Sequence, residues 1–154
     1  MLNRHFASGF STSQVDQSPP LDADTISYKF STVSCSHEDV YKLLSTIKLK
    51  TAAGLDGISS HMLQHTSYSI ADFLTKLFHK FLSLGSVPSV WKLSNVSPVY
   101  KSGDPSDVYN YCPIPLISLP SKILEHLVHN RLSDYLYLNP LISPSQFGFQ
   151  PGSS

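Results

Sequence analysis

The chain predicts an α+β fold, mostly helical, with one short proline-rich β-hairpin and a disordered N-terminal arm. Three observations lead there. Two long stretches carry apolar residues at i, i+3 and i+4, the spacing of one helical face. Between them, two short β-like runs are interrupted by Pro98, Pro113 and Pro115 and joined by an SGDPSD turn. Before them, residues 1–35 are rich in Ser, Thr, Pro and Asp with no sustained period.

Residues 1–35 therefore read as a linker or arm, with at most a short extended piece around Ile26–Val33. Regular structure is expected from Ser36, which with Asp39 three residues on makes a weak capping box. Val40, Leu43, Leu44 and Ile47 then share a helical face, and Lys48 and Lys50 sit near its end, where the helix dipole favours cations. A Gly-flanked loop, TAAGLDGIS, breaks the pattern, and a short helix is expected at Ser60–Gln64.

The strongest helix runs from Ser67 to Leu84, with Ile70, Phe73, Leu74, Leu77, Phe78, Phe81 and Leu82 in one stripe and Gly85 as its stop. Such a helix needs a partner surface, because ordering its backbone costs as much as burying the stripe gains. Asn95–Lys101 and Pro113–Ser118 read as the hairpin strands; proline cannot donate to a ladder, so they belong at an edge or in a projecting hairpin. A second helix spans about Ser121–Tyr137, with Leu124, Leu127, Val128, Leu132, Tyr135 and Leu136 on one stripe and Asn139-Pro140 ending it. The tail beyond reads as loop.

At 154 residues the chain is one domain's worth. Eleven basic side chains balance eleven acidic ones, and charged residues make up only 14%, against roughly 25% in typical soluble domains. The basic excess of a free-standing nucleic-acid binder is missing. Cys35 and Cys112 stand far apart without zinc spacing, which suits a reducing compartment. No apolar run approaches the ~20 residues of a membrane helix, so a nuclear or cytoplasmic setting is expected and no membrane.

An ordered series of motifs then carries the functional reading. It comprises GLDGIS (54–59), GSVPSVWK (85–92), SPVYKSGDPSDVYNYCPI (97–114), SKILE (121–125) and QFGFQPGSS (146–154). Each piece is weak alone; in this order they resemble the reverse transcriptases of non-LTR (LINE-type, jockey-like) retrotransposons. The resemblance covers roughly residues 36–154. It implies the fingers and the start of the palm of an RNA-directed DNA polymerase, a nucleotidyltransferase. In that family an RNA template and a DNA primer are the partners and Mg2+ is the cofactor.

The resemblance assigns nucleotide or template contacts to Lys92, Lys101 and Lys122 around the hairpin, with Lys101 first, and to Gln146, Phe147, Gly148 and Phe149 along the template path. Cations beside transferring phosphates are what phosphoryl transfer requires. The plain readings stand beside these: solvated lysines, and two phenylalanines that simply pack. Asp56 reads as a turn aspartate bonding its own backbone rather than as a catalytic acid.

The sequence departs from the family pattern at Leu55 (usually Pro), Cys112 (usually Arg) and Gln150 (usually Arg). A thiol cannot replace the fixed charged fork of arginine, which puts nucleotide binding in doubt. Each departure is reachable by a single C-to-T transition on one strand or the other, the signature of a decaying element copy; codons further from the family residue would refute that history.

His61 and His65 are spaced i, i+4, and His126 and His129 i, i+3, but no third ligand has convincing spacing, so surface or core histidines are the preferred reading. The Asp that follows the fingers and the Tyr-x-Asp-Asp turn, which hold the family's paired metal ions, do not occur in these residues. No catalytic or metal-binding residue is therefore assigned, and the 154 residues alone are expected to be an inactive fragment. The rival reading is a helical module that binds a protein partner through exposed apolar helix faces, or a truncated remnant without function.

Overall fold

A computed structural model of the chain describes residues 2–8, 30, 32–139 and 141–143. Five helices and two strands follow in order: α1 (Leu2–Ser8), α2 (His37–Ser45), α3 (Ser60–His65), α4 (Ser67–Leu84), β1 (Asn95–Tyr100), β2 (Tyr111–Leu116) and α5 (Leu119–Leu138). Short 3-10 turns occupy Ser89–Lys92 and Val108–Asn110. The protein is thus mixed α and β, dominated by helix, with a single two-stranded antiparallel sheet among the described residues.

Helix α2 starts where the capping box places it. The Ser36 hydroxyl accepts from the Asp39 N–H at 3.1 Å, and the Asp39 carboxylate accepts from the Ser36 N–H at 3.0 Å. The helix ends at Ser45, earlier than its apolar stripe implied. Thr46 folds back onto the Lys42 carbonyl through both its N–H and its hydroxyl, so Lys48 and Lys50 lie beyond the last turn. Helix α4 has the expected limits, and Gly85 closes it in the left-handed conformation, φ 59°, which side chains other than glycine rarely adopt.

The core lies where α2, α3 and α4 meet the first half of α5. Val40 and Leu44, Leu63, Ala71, Leu74 and Phe78, and Leu119, Ile123, Leu124 and Leu127 are its buried members. Trp91 seals one side, packing edge-on against Phe81 with centroids 5.2 Å apart. Two stripes are corrected by this packing. Phe73 remains 62% exposed, at the open groove between α3 and α4. Leu132, 42% exposed, and the exposed Leu138 show that α5 outruns its partners, so its second half has little to bury against.

The N-terminal arm needs correction as well. Leu2–Ser8 is helical rather than irregular, and its His5 ring meets Tyr109 edge-on at 4.5 Å. Core structure begins one residue earlier than expected: Cys35 is buried, and its carbonyl accepts from His79 Nε2 at 2.8 Å. Residues 9–29 and 31, with most of the extended piece expected near Ile26–Val33, lie outside the described residues.

Candidate nucleic-acid interface

The hairpin leaves the helical body as a ribbon. Its register pairs Pro98 with Pro113 and Val96 with Pro115, so three ladder positions have no N–H to give. Among the described residues no third strand has to be satisfied, and Val96, Val99 and Ile114 stay more than 40% exposed. The prolines are tolerated for that reason, in the second of the two settings the sequence allows, a sheet edge or a projecting hairpin.

What the ribbon lacks in burial its tip regains in hydrogen bonds. Lys101 N–H donates to the Asn110 carbonyl at 2.8 Å, and the Asn110 side-chain amide donates to the Asp104 carbonyl at 3.0 Å. Tyr100 and Tyr111 pack against each other at 5.6 Å and donate their hydroxyls to the Gly103 and Pro105 carbonyls. Gly103 sits at φ 99° with Asn110 against it, a conformation and a space that no side chain would fit. The tip is pre-organised by its own backbone.

Lys101 is exposed at the lip of this turn. The two acids of the turn are engaged by its own backbone: Asp104 accepts from the Ser106 N–H and hydroxyl, each at 2.8 Å, and Asp107 from the Tyr109 N–H at 3.0 Å. Those bonds from Ser106 hold the Asp104 carboxyl below its usual range. Two carboxylates beside one ammonium leave the tip a weaker cationic feature than Lys101 alone would be.

The other lysines stand apart from it. Lys92 ends the 3-10 turn ahead of β1 and borders a groove of about 520 Å³ with Phe81, Val128 and His129. Lys122, half-buried in the first turn of α5, borders a separate pocket of about 240 Å³ with Ile47, Thr51 and His126. Both belong to the base of the hairpin, whereas Lys101 is at its tip, six residues along β1 and so roughly 20 Å away. One triphosphate cannot touch all three. Cys112 lies opposite Val99 on the ribbon, half-buried and unbridged. Gln146, Phe147, Gly148, Phe149 and Gln150 lie outside the described residues.

The base of the hairpin is fastened by a loop that the sequence marked only as a turn. Asp56 does accept from the nearby Ile58 N–H at 3.2 Å. Its second oxygen accepts from the Ser118 hydroxyl at 2.5 Å, across 62 residues of sequence. Ser118 is the N-cap of α5, yet its side chain makes no cap bond and is given to Asp56 instead. Gly54 lies so close to the Ile117–Ser118 backbone that a Cβ there would come within 2.5 Å of Ser118 N. In the sequence Gly54 reads only as the flank of a loop; nothing local marks this contact.

A second tie, also invisible locally, joins α5 to the start of α2. Arg131 donates to an Asp39 carboxylate oxygen at 2.9 Å and to the Ser34 carbonyl at 3.3 Å. The Ser36 bonds, backbone first, lower the Asp39 pKa, and Arg131 adds to the effect. Asp39 also helps burial to raise the pKa of the Cys35 thiol.

Among the described residues no cluster of three or more His, Cys, Asp or Glu side chains could hold a metal ion. The acids at the hairpin and its base are bonded to their own loops or to Ser118, so they do not fit the paired-metal site that the motif resemblance implies. No helix among them is long and apolar enough to cross a membrane.

A projecting, proline-broken hairpin fastened to a small helical body, carrying the motif series in order, defines the class of protein to compare. Over about three quarters of its length the chain has homologues among the RNA-directed DNA polymerases of Drosophila non-LTR elements. It is 32% identical over 114 residues to the RNA-directed DNA polymerase from mobile element jockey of Drosophila melanogaster, which is 73% of this chain and 12% of that protein. It is 28% identical over 118 residues to a probable RNA-directed DNA polymerase from transposon BS of the same species, or 76% of this chain and 13% of that one. The jockey polymerase of Drosophila funebris is 29% identical over 114 residues, 73% of this chain and 12% of that protein. The chain spans about one eighth of the length of these relatives. No protein-family model matches it.

Proposed function

We propose that residues 36–154 correspond to the fingers and the threshold of the palm of a non-LTR reverse transcriptase, and that residues 1–35 precede that unit as an arm. In the longer polymerase this segment would steer template RNA past the hairpin while catalysis proceeds elsewhere. Lys101 is the leading contact, with Lys92 and Lys122 further along the strand. Gln146, Phe147, Gly148 and Phe149 are proposed to continue the path. The observation that supports this best is the self-bonded hairpin tip, which presents Lys101 on a turn whose geometry is set before any ligand arrives. Pre-organisation of that kind lowers the entropic cost of binding.

Nucleotidyl transfer in such a polymerase depends on carboxylates that hold Mg2+, and the described residues bring no such group together. Primer extension by the 154 residues alone is therefore expected to fail even with Mg2+ supplied, and extension above background would refute that expectation. Single-stranded RNA binding followed by fluorescence anisotropy at several salt concentrations tests the interface itself. Each neutralised phosphate contributes about −0.7 to the salt slope, so three lysines predict a slope of about −2. Lys101→Ala should make it shallower by about 0.7. Binding that ignores salt, or a variant identical to the parent, would overturn the reading.

A competing reading, docking of a protein partner, draws on the exposed Met62 and Phe73 beside an apolar groove of about 690 Å³ between α3 and α4. It would be favoured by the absence of RNA binding at low salt.

A further inference from the structure

The histidines of α3 form an arrangement that the polymerase reading leaves unused. His61 and His65, four residues apart, stack their rings with centroids 4.0 Å apart and planes 22° from parallel. Both side chains are exposed at the rim of the groove between α3 and α4. His65 Nδ1 lies 2.9 Å from the His61 carbonyl oxygen. A carbonyl can only accept, so Nδ1 carries the proton, and the neutral ring keeps its lone pair on Nε2. Metal-binding histidines are typically prepared in this way: one ring nitrogen donates to a backbone carbonyl, and the other is left as the ligand.

We propose that His61 and His65, whose exposed rings must turn out of their stack to aim both Nε2 atoms at one point, chelate a first-row divalent cation of borderline softness (Ni2+, Cu2+ or Zn2+), with water completing the coordination. Paired histidines at i, i+4 on one helical face are a known way to hold such an ion. Two imidazoles suit these metals and not Mg2+, which prefers oxygen donors and keeps its waters. The pair His126 and His129 supplies an internal contrast. Those rings are spaced i, i+3 with centroids 6.5 Å apart, and neither has a comparable backbone bond among the described residues. Chelation would also staple α3, whose six residues are too few to be stable without support.

The test is a titration of the full chain with NiCl2, reading the imidazole signals by NMR and the melting temperature in parallel. One equivalent of Ni2+ should broaden the His61 and His65 signals before any other histidine and should raise the melting temperature. His61→Ala and His65→Ala should each weaken Ni2+ affinity by about tenfold or more, since even the partners that orient a ligand are worth that much, and abolish the thermal gain, while His129→Ala changes neither. MgCl2 at the same concentration should do nothing. Unchanged affinity in both α3 variants, or earlier broadening of His126 and His129, would overturn the proposal.

Discussion

Replacing Gly54 with alanine probes the fastening of the hairpin base directly. The added Cβ would meet Ser118 N at 2.5 Å, Ile117 C at 2.6 Å and the Ile117 oxygen at 2.8 Å. All three are backbone atoms, so no rotamer change relieves the contact; the loop or the start of α5 must shift. Overpacking of this kind costs about 1–3 kcal/mol. The shift also stretches the bond between Ser118 and the Asp56 carboxylate, a charged hydrogen bond worth about 1.5–3 kcal/mol when intact. Against these stands a gain of roughly 0.4–1 kcal/mol from stiffening the unfolded chain. With the bond partly lost, a net destabilisation of about 2–3 kcal/mol follows. Urea denaturation followed by circular dichroism measures it. Gly57→Ala is the control, since Gly57 has φ 68° and open space around it, leaving only a left-handed backbone cost of about 1–2 kcal/mol. A Gly54→Ala protein as stable as the parent, or more stable than Gly57→Ala, would refute the reasoning.

Other outcomes follow from the same geometry. Phe78→Ala should cost about 3–5 kcal/mol, as large core truncations do, whereas Phe73→Ala, at a mostly exposed site, should cost under about 1 kcal/mol; equal melting temperatures would contradict the assigned core. The folded Asp39 carboxyl has a pKa below the ordinary 3.8. Its stabilising contribution is therefore complete above that value and is lost as the pH falls through the lower, folded one. Asp39→Asn should flatten the acid limb of a stability-against-pH curve, and an unaltered limb would count against the Ser36 and Arg131 bonds. In native protein Cys112 should react with a thiol reagent well before the buried Cys35, whose raised pKa disfavours the thiolate; equal rates would mean that the α2 entry is open.

Much of the fold could be read along the chain because its causes are local. The limits of α4 follow from an i, i+3, i+4 stripe and a glycine that can adopt φ 59°. The start of α2 follows from two side chains three residues apart, and the projecting hairpin from prolines that no inner strand accepts. Patterning was less informative about depth. It placed Phe73 and Leu132 in apolar stripes without saying that α4 and α5 leave them uncovered, since burial depends on where neighbouring helices stop. It also grouped Lys92, Lys101 and Lys122 around one feature, and the length of the ribbon sets Lys101 apart from the other two.

By itself, then, the sequence determined helices α2 to α5, the hairpin and the kinship with non-LTR polymerases, all of which rest on spacings of a few residues or on motif order. Tertiary structure alone decided how these parts are joined. The Asp56–Ser118 bond, the seating of Gly54 on Ile117–Ser118 and the Arg131–Asp39 pair link residues 62 to 92 positions apart. Such contacts leave no periodicity in the chain, because they depend on the path the backbone takes between their partners.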